Sequence, residues 1–236
     1  MIIEILYPEI CCLYGDKGNT LFLKQCLPNA QFIETHFNET PHFVSHHVDL
    51  CYIGSMSEKK QEMVINQLKP YTEVMKDLID TKKTLFLCTG PSIEIFGDYI
   101  KYNNRQIDGL KLFDFYTNNV APKRYSTLLQ VEFENLNLIG YTSRFSFIYP
   151  NNSISPLGKV KIGFGHHLES KIEGIHIGSF IGTYLLGPIL VSNPDFTLWL
   201  FDQLNIKVEK LPFEEQLRQA YDLKCHEFSK PGLELE

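Results

Sequence analysis

Short apolar runs alternate with stretches of helical periodicity over the first part of the chain. IIEIL (2–6) reads as a strand. From 16 to 27, Leu21, Phe22 and Gln25 fall near one helical face, and Asp16 is placed to cap the start. QFIETH (31–36) is a second strand. VDLCYIGS (48–55) runs into Gly54-Ser55 as a buried parallel strand does. Helical spacing returns over 58–80 through Met63, Ile65, Leu68, Val74, Met75 and Leu78, and Pro70 must break or kink it. TLFLC (84–88) is a five-residue buried strand ending on Cys88, with Gly90 and Pro91 just beyond.

From about residue 110 the pattern turns strand-rich. LKLFDFYT, LLQVEFE, LNLIGYTS and FSFIY alternate between short polar turns, and IEGIHIGSFIGTYLL (172–186) reads as two strands around Gly178-Ser179. NPDFTLWLFDQL (193–204) is a helix entered through Asn193 as N-cap and Pro194 at its first position. FEEQLRQAYDLKC (213–225) is another, with an apolar side through Phe213, Leu217, Tyr221 and Leu223 that packs on the domain or meets a partner. Strand–helix alternation predicts an α/β fold with a mostly parallel sheet flanked by helices. The second half extends that sheet or adds an antiparallel one. No linker or repeat divides the chain, so one domain is expected over 1–234. The closing residues 235–236 read as a cloning scar.

Composition changes the picture only by exclusion. The 236 residues carry net charge −6 without a basic tract, which argues against a nucleic-acid binder. No signal peptide and no transmembrane segment is legible. The six cysteines show no C-x-x-C pair and no zinc-like spacing with histidine, so reduced thiols and a cytoplasmic setting are expected. His166 and His167 are adjacent, but no third ligand at close spacing supports a metal site.

Cys88 carries the candidate chemistry. Ligands of open α/β sheets bind beyond the strands' carboxyl ends. A strand, a nucleophile, a glycine and a helix in succession make a nucleophile elbow, which exposes the side chain and aims a helix N-terminus at it. The amide of Thr89 would then face a developing oxyanion, with a second donor from Gly54-Ser55-Met56. A small apolar residue ending a core strand fits the same pattern.

Several ordered segments resemble one family. LYGDKGN (13–19), IGSMSEKKQ (53–61), LFLCTG (85–90), IDGLKLFDFYT (107–117), SPLGKV (155–160) and IGTYLLGPILVSNPDF (181–196) resemble, in order, IYGDxGN, IGGGxDxxQ, ICGGYQ, IxGLGLLDFYT, PLGKV and IGTYLHGPLLPKNPEL. These belong to the GatD-type class I glutamine amidotransferases, related to the amidotransferase domains of cobyric and cobyrinic acid synthases (the CobB/CobQ type). The resemblance spans roughly residues 5–200. It implies a flavodoxin-like fold, no cofactor, and glutamine hydrolysis through a cysteinyl thioester. The ammonia would pass to a MurT-like, Mur-ligase-type partner that amidates the peptidoglycan stem of lipid II.

The departures gather at the reaction centre. Cys88 takes the nucleophile position, but Leu186 takes that of the catalytic histidine. CGGYQ has become Cys88-Thr89-Gly90-Pro91-Ser92, and the loop glycines thin to Gly54-Ser55-Met56. The glutamine-site segment GFENHxGRT reads GYTSRFSFIY, with Arg144 shifted. The expected pocket is therefore Gly54, Ser55, Thr89, Gly90, Ser92 and Arg144, with His166 or His167 as a substitute base. His176 is expected at the wrong end of its strand, and His42, His46 and His47 at the surface. Two readings stand: an amidotransferase-like subunit with impaired or absent activity, or an active glutaminase using Cys88 and a relocated base. A stand-alone hydrolase has only the elbow in its favour.

Overall fold

The computed structural model describes residues 1–152 and 154–230. The expected scar at 235–236 lies outside the described residues.

Six strands form the central sheet: β1 (Ile2–Leu6), β2 (Gln31–Thr35), β3 (Leu50–Ile53), β4 (Leu85–Thr89), β13 (Ile175–Ile177) and β14 (Phe180–Thr183). Their order is β13-β14-β4-β3-β1-β2, parallel from β14 to β2, with β13 antiparallel at one edge. The middle strands are buried on both faces, which explains their unbroken apolar runs. Alternate residues serve two cores. Cys51, Ile53, Phe86 and Cys88 face one, shared with α2 (Gln61–Leu68) and α3 (Thr72–Asp80). Leu50, Tyr52, Leu85 and Leu87 face the other, shared with α1 (Lys17–Cys26), α4 (Ile189–Ser192) and α5 (Pro194–Gln203). Pro70 sits in the 3-10 turn that separates α2 from α3, the break its ring demands.

The strand-rich middle does both things expected of it. Two four-stranded sheets are added, β10-β7-β5-β6 and β12-β11-β8-β9, and the β13–β14 hairpin returns to the central sheet. The first comprises β5 (Tyr99–Lys101), β6 (Gln106–Asp108), β7 (Phe115–Asn119) and β10 (Ser146–Pro150). The second comprises β8 (Tyr125–Phe133), β9 (Leu136–Arg144), β11 (Gly158–Ile162) and β12 (Ile172–Glu173). Residues 110–114, expected in a strand, form the turn before β7 instead. Across the first added sheet Tyr99, Tyr116, Tyr149 and His167 stack in a row, centroids 5.0–5.3 Å apart.

Two helices differ from expectation. Asn193 precedes α5, but its side chain clasps the backbone of Ile139 in β9, accepting from its N–H and donating to its C=O. The helix is thus tied to a sheet rather than capped. The last helix, α6 (Glu214–Phe228), is also split from its expected face. Leu217 packs on the core and the Tyr221 hydroxyl donates to Asn137, while Phe213 and Leu223 stay exposed at 65% and 66%. Trp199 in α5 is caged by Phe133, Phe196 and His176 beside the amino ends of β3 and β4. Among the described residues no helix is long and apolar enough to cross a membrane.

Candidate functional site at the carboxyl edge of the central sheet

Three segments meet where β3, β4 and β14 end. They are the loop Gly54-Ser55-Met56, the turn Thr89-Gly90-Pro91, and Leu185-Leu186-Gly187. β4 runs one residue past Cys88, to Thr89. Cys88 therefore stands within the strand, paired with Ile53 on one side and Gly182 on the other. Its side chain is fully buried in the α2–α3 core. Burial raises the thiol far above its usual range, and Cys11 and Asp16 push it further the same way. The turn itself is made at Gly90, whose φ of +61° lies in the left-handed region. It leads into a buried 3-10 helix, Gly90–Phe96, with Pro91 in its first turn.

Leu186 is 1% exposed. Its backbone N–H donates to Tyr141 O at 2.9 Å in an isolated bridge to β9. Its side chain packs over the turn, with Cδ2 3.0 Å from the position a Cβ would take on Gly90.

Two backbone donors of the loop expected to face an oxyanion, the Ser55 and Met56 N–H groups, are engaged. The Ser55 N–H donates to the Asp16 carboxylate, and the Thr89 hydroxyl donates to the same carboxylate at 2.6 Å. The Met56 N–H donates to Ser92 Oγ at 3.1 Å, and that hydroxyl donates to Gly54 O at 2.6 Å. Gly54 has no room for a side chain, because a Cβ would strike Cys11 O. Asp16 was expected to cap α1; its side chain makes no cap bond and reaches across the strand ends instead. Asn19 and Tyr52 complete this network, Asn19 donating to Asp16 at 3.2 Å and to the Tyr52 hydroxyl at 2.8 Å. Burial raises Asp16 to about 6, against the lowering effect of those donors.

Arg144, expected in the substrate pocket, ends β9 and is fully buried. Its guanidinium lies 3.4 Å from the centroid of Tyr184, and Nη2 donates to Gly165 O. Nε and Nη1 have no partner among the described residues. Two buried carboxyls stand near it. Glu94 accepts from Ser146, Gln61 and Tyr184 at 2.5, 2.8 and 2.9 Å. Glu173 accepts from the Tyr184 N–H and the Thr183 hydroxyl at 2.6 and 3.0 Å. Burial raises both to about 7. Neither was singled out in the sequence, where isolated glutamates carry no sign of burial.

The two candidate bases do not converge on the turn. His166 bonds Gly174 O through Nε2 at 2.8 Å, and burial lowers it to about 4. His167 stacks on Tyr149. Hydrogen bonds from neither ring reach Cys88, Gly90 or Ser55. His176 packs against Trp199 by the amino ends of the strands.

Beside the site opens a cleft of about 680 Å³, lined by Tyr14, Glu58, Tyr102, Arg105, Arg124 and Phe145 among others. Arg124 lies over the Phe145 ring at 4.4 Å and, among the described residues, donates only to neutral groups, Tyr14 and Ser143. Such a guanidinium retains donors for an anionic group. Sequence reading missed it, since a lone arginine in a turn has no distinguishing pattern.

No family model matches the chain. It is 30% identical over 207 residues to the lipid II isoglutaminyl synthase (glutamine-hydrolyzing) subunit GatD of Staphylococcus aureus (strain N315), covering 86% of this chain and 83% of the relative. It is 26% identical over 198 residues to the subunit of the same name from Streptococcus pneumoniae (strain ATCC BAA-255 / R6), covering 80% and 74%. A crystal structure of a glutamine amidotransferase superposes with a TM-score of 0.57 at 11% identity, over 87% of this chain and all of the other. The α/β class I glutamine amidotransferase-like fold is thereby shown.

Proposed function

The chain belongs to the GatD family, and from that premise we propose that it is a subunit of a lipid II-amidating assembly that does not itself hydrolyse glutamine. One observation carries this reading: at the position of the family histidine, the Leu186 side chain covers the Gly90 turn. Thioester formation needs a sulfur anion and a group that protonates the departing ammonia. A leucine offers neither acceptor nor donor, and among the described residues no imidazole is hydrogen-bonded into its place. Removing one member of such a unit costs several orders of magnitude in rate.

The assembly side of the reading rests on the relatives, each named as a subunit. A MurT-like, Mur-ligase-type protein on the cytoplasmic side of the membrane is the expected partner. The adjoining cleft, where Arg124 has no carboxylate partner among the described residues, offers a place for an anionic group of glutamine or of the partner's substrate.

The test is intact mass after incubation with 6-diazo-5-oxo-norleucine, alone and with a co-expressed Mur-ligase-like partner, beside ammonia release from glutamine. No adduct and no ammonia are expected. An adduct approaching one per chain, or ammonia release lost in Cys88→Ala, would establish the active alternative.

A further inference from the structure

We propose that the elbow position of this chain, the one from which a nucleophile would act, is Gly90 rather than Cys88. The inference deepens the non-hydrolytic reading: nucleophile and base are then both absent, and Cys88 is a core residue.

Four observations converge. First, an elbow is a sharp, strained turn between strand and helix. That turn is at Gly90, with φ +61°, whereas Cys88 is extended and paired on both sides. Second, direction decides what a side chain can reach. Successive residues of a strand point to opposite faces, and Cys88 points with Phe86, Cys51 and Ile53 into the α2–α3 core. A Cβ on Gly90 would point to Leu186 Cδ2 at 3.0 Å and to Ser55 Cβ at 2.8 Å, meeting the Ser55 hydroxyl closer still. Leu186 fills the family's histidine position, so the geometry of a nucleophile facing its base survives between residues 90 and 186. Third, Ser55 Oγ is buried and has no hydrogen-bond partner among the described residues. It occupies the space into which a side chain at position 90 would project. Fourth, burial, with Cys11 and Asp16 adding to it, raises the thiol of Cys88, and among the described residues no cation or donor offsets that rise.

The chemistry thus has a specific route back. A sulfur at position 90 needs Ser55 cut back and a base at 186. We expect the triple variant S55G/G90C/L186H to be alkylated by 6-diazo-5-oxo-norleucine. There a C–S bond forms at the protonated diazo carbon and dinitrogen leaves. Peptide mapping should place the adduct at position 90, about tenfold or more over any adduct at Cys88. Leu186→His alone should gain no adduct. An adduct on Cys88 in Leu186→His, or a folded triple variant (by circular dichroism) with none at position 90, overturns the assignment.

A second measurement does not depend on the triple variant folding. Native wild-type protein treated with iodoacetamide should be modified at exposed Cys12 and partly exposed Cys225. Cys88 should react only under conditions that unfold the chain. Cys88 modification within about tenfold of the Cys12 rate refutes the assignment. Wild-type ammonia release that survives Cys88→Ala would sink the non-hydrolytic reading while leaving the elbow at Gly90.

Discussion

Asp16 is one carboxylate with three separate contacts. It gathers the Ser55 N–H, the Thr89 hydroxyl and the Asn19 amide where the strands end. A carboxylate accepts at both oxygens, whereas an amide offers one acceptor and two donors. Asp16→Asn should therefore leave a buried donor without a partner and lower stability by about 1–3 kcal/mol, read from urea unfolding near pH 7.5. Ser55 presents the reverse case, since its hydroxyl is buried and has no partner among the described residues. Ser55→Ala removes an unsatisfied group at nearly equal volume. The melting temperature should stay unchanged or rise, and a fall of several degrees would show that the hydroxyl has a partner in solution. The sequence concealed both roles. The partners of Asp16 lie 39 and 73 residues away, and an aspartate before a helix looks like a cap. The handedness of Gly90 was equally hidden, because in CTGP a glycine marks a turn without saying which residue makes it.

At the scale of elements, what the sequence revealed tracked burial. Strands β3 and β4 are covered on both faces, and their apolar runs were visible at once. β8 alternates buried and part-exposed positions along its length, and that period was visible too. The three-residue strands β5 and β6 are too short for any period to register. α6 misled in a different way, because its sequence suggested one apolar side where the fold uses half. Phe213 and Leu223 are exposed, so Phe213→Lys and Leu223→Lys should each change stability by no more than about 0.5 kcal/mol. Tyr221→Phe should cost about 1 kcal/mol by deleting its bond to Asn137. If either lysine variant instead abolished co-purification with a Mur-ligase-like protein, the outward half of α6 would be the binding face.

For the whole molecule, the cluster of Glu94, Glu173 and Arg144 ties the buried 3-10 helix to both added sheets and to the end of β14. Its carboxyls give stability a pH dependence with a defined sign. Both titrate near 7 in the fold against 4.5 when unfolded. Their contribution is complete below about pH 4.5 and is lost as pH rises through 7, because the unfolded chain releases protons that the fold retains. Asp16 acts in the same direction at lower pH. His166 acts oppositely, its stability being lost as pH falls from about 6.5 to 4. The cleanest window is thus pH 6.5–7.5, where the melting temperature should decline. Glu173→Gln should flatten that decline, and an unchanged slope would remove Glu173 from the account.

The tryptophan cage makes the chain its own two-channel reporter. The sequence holds one tryptophan and twelve tyrosines. Trp199 emission reads the amino edge of the central sheet, while the stacked row of Tyr99, Tyr116 and Tyr149 contributes to near-ultraviolet circular dichroism from an added sheet. Coincident denaturation curves in the two signals would show a single cooperative unit. Separated midpoints would show that the added sheet melts on its own, and would divide a chain that reads as continuous in sequence.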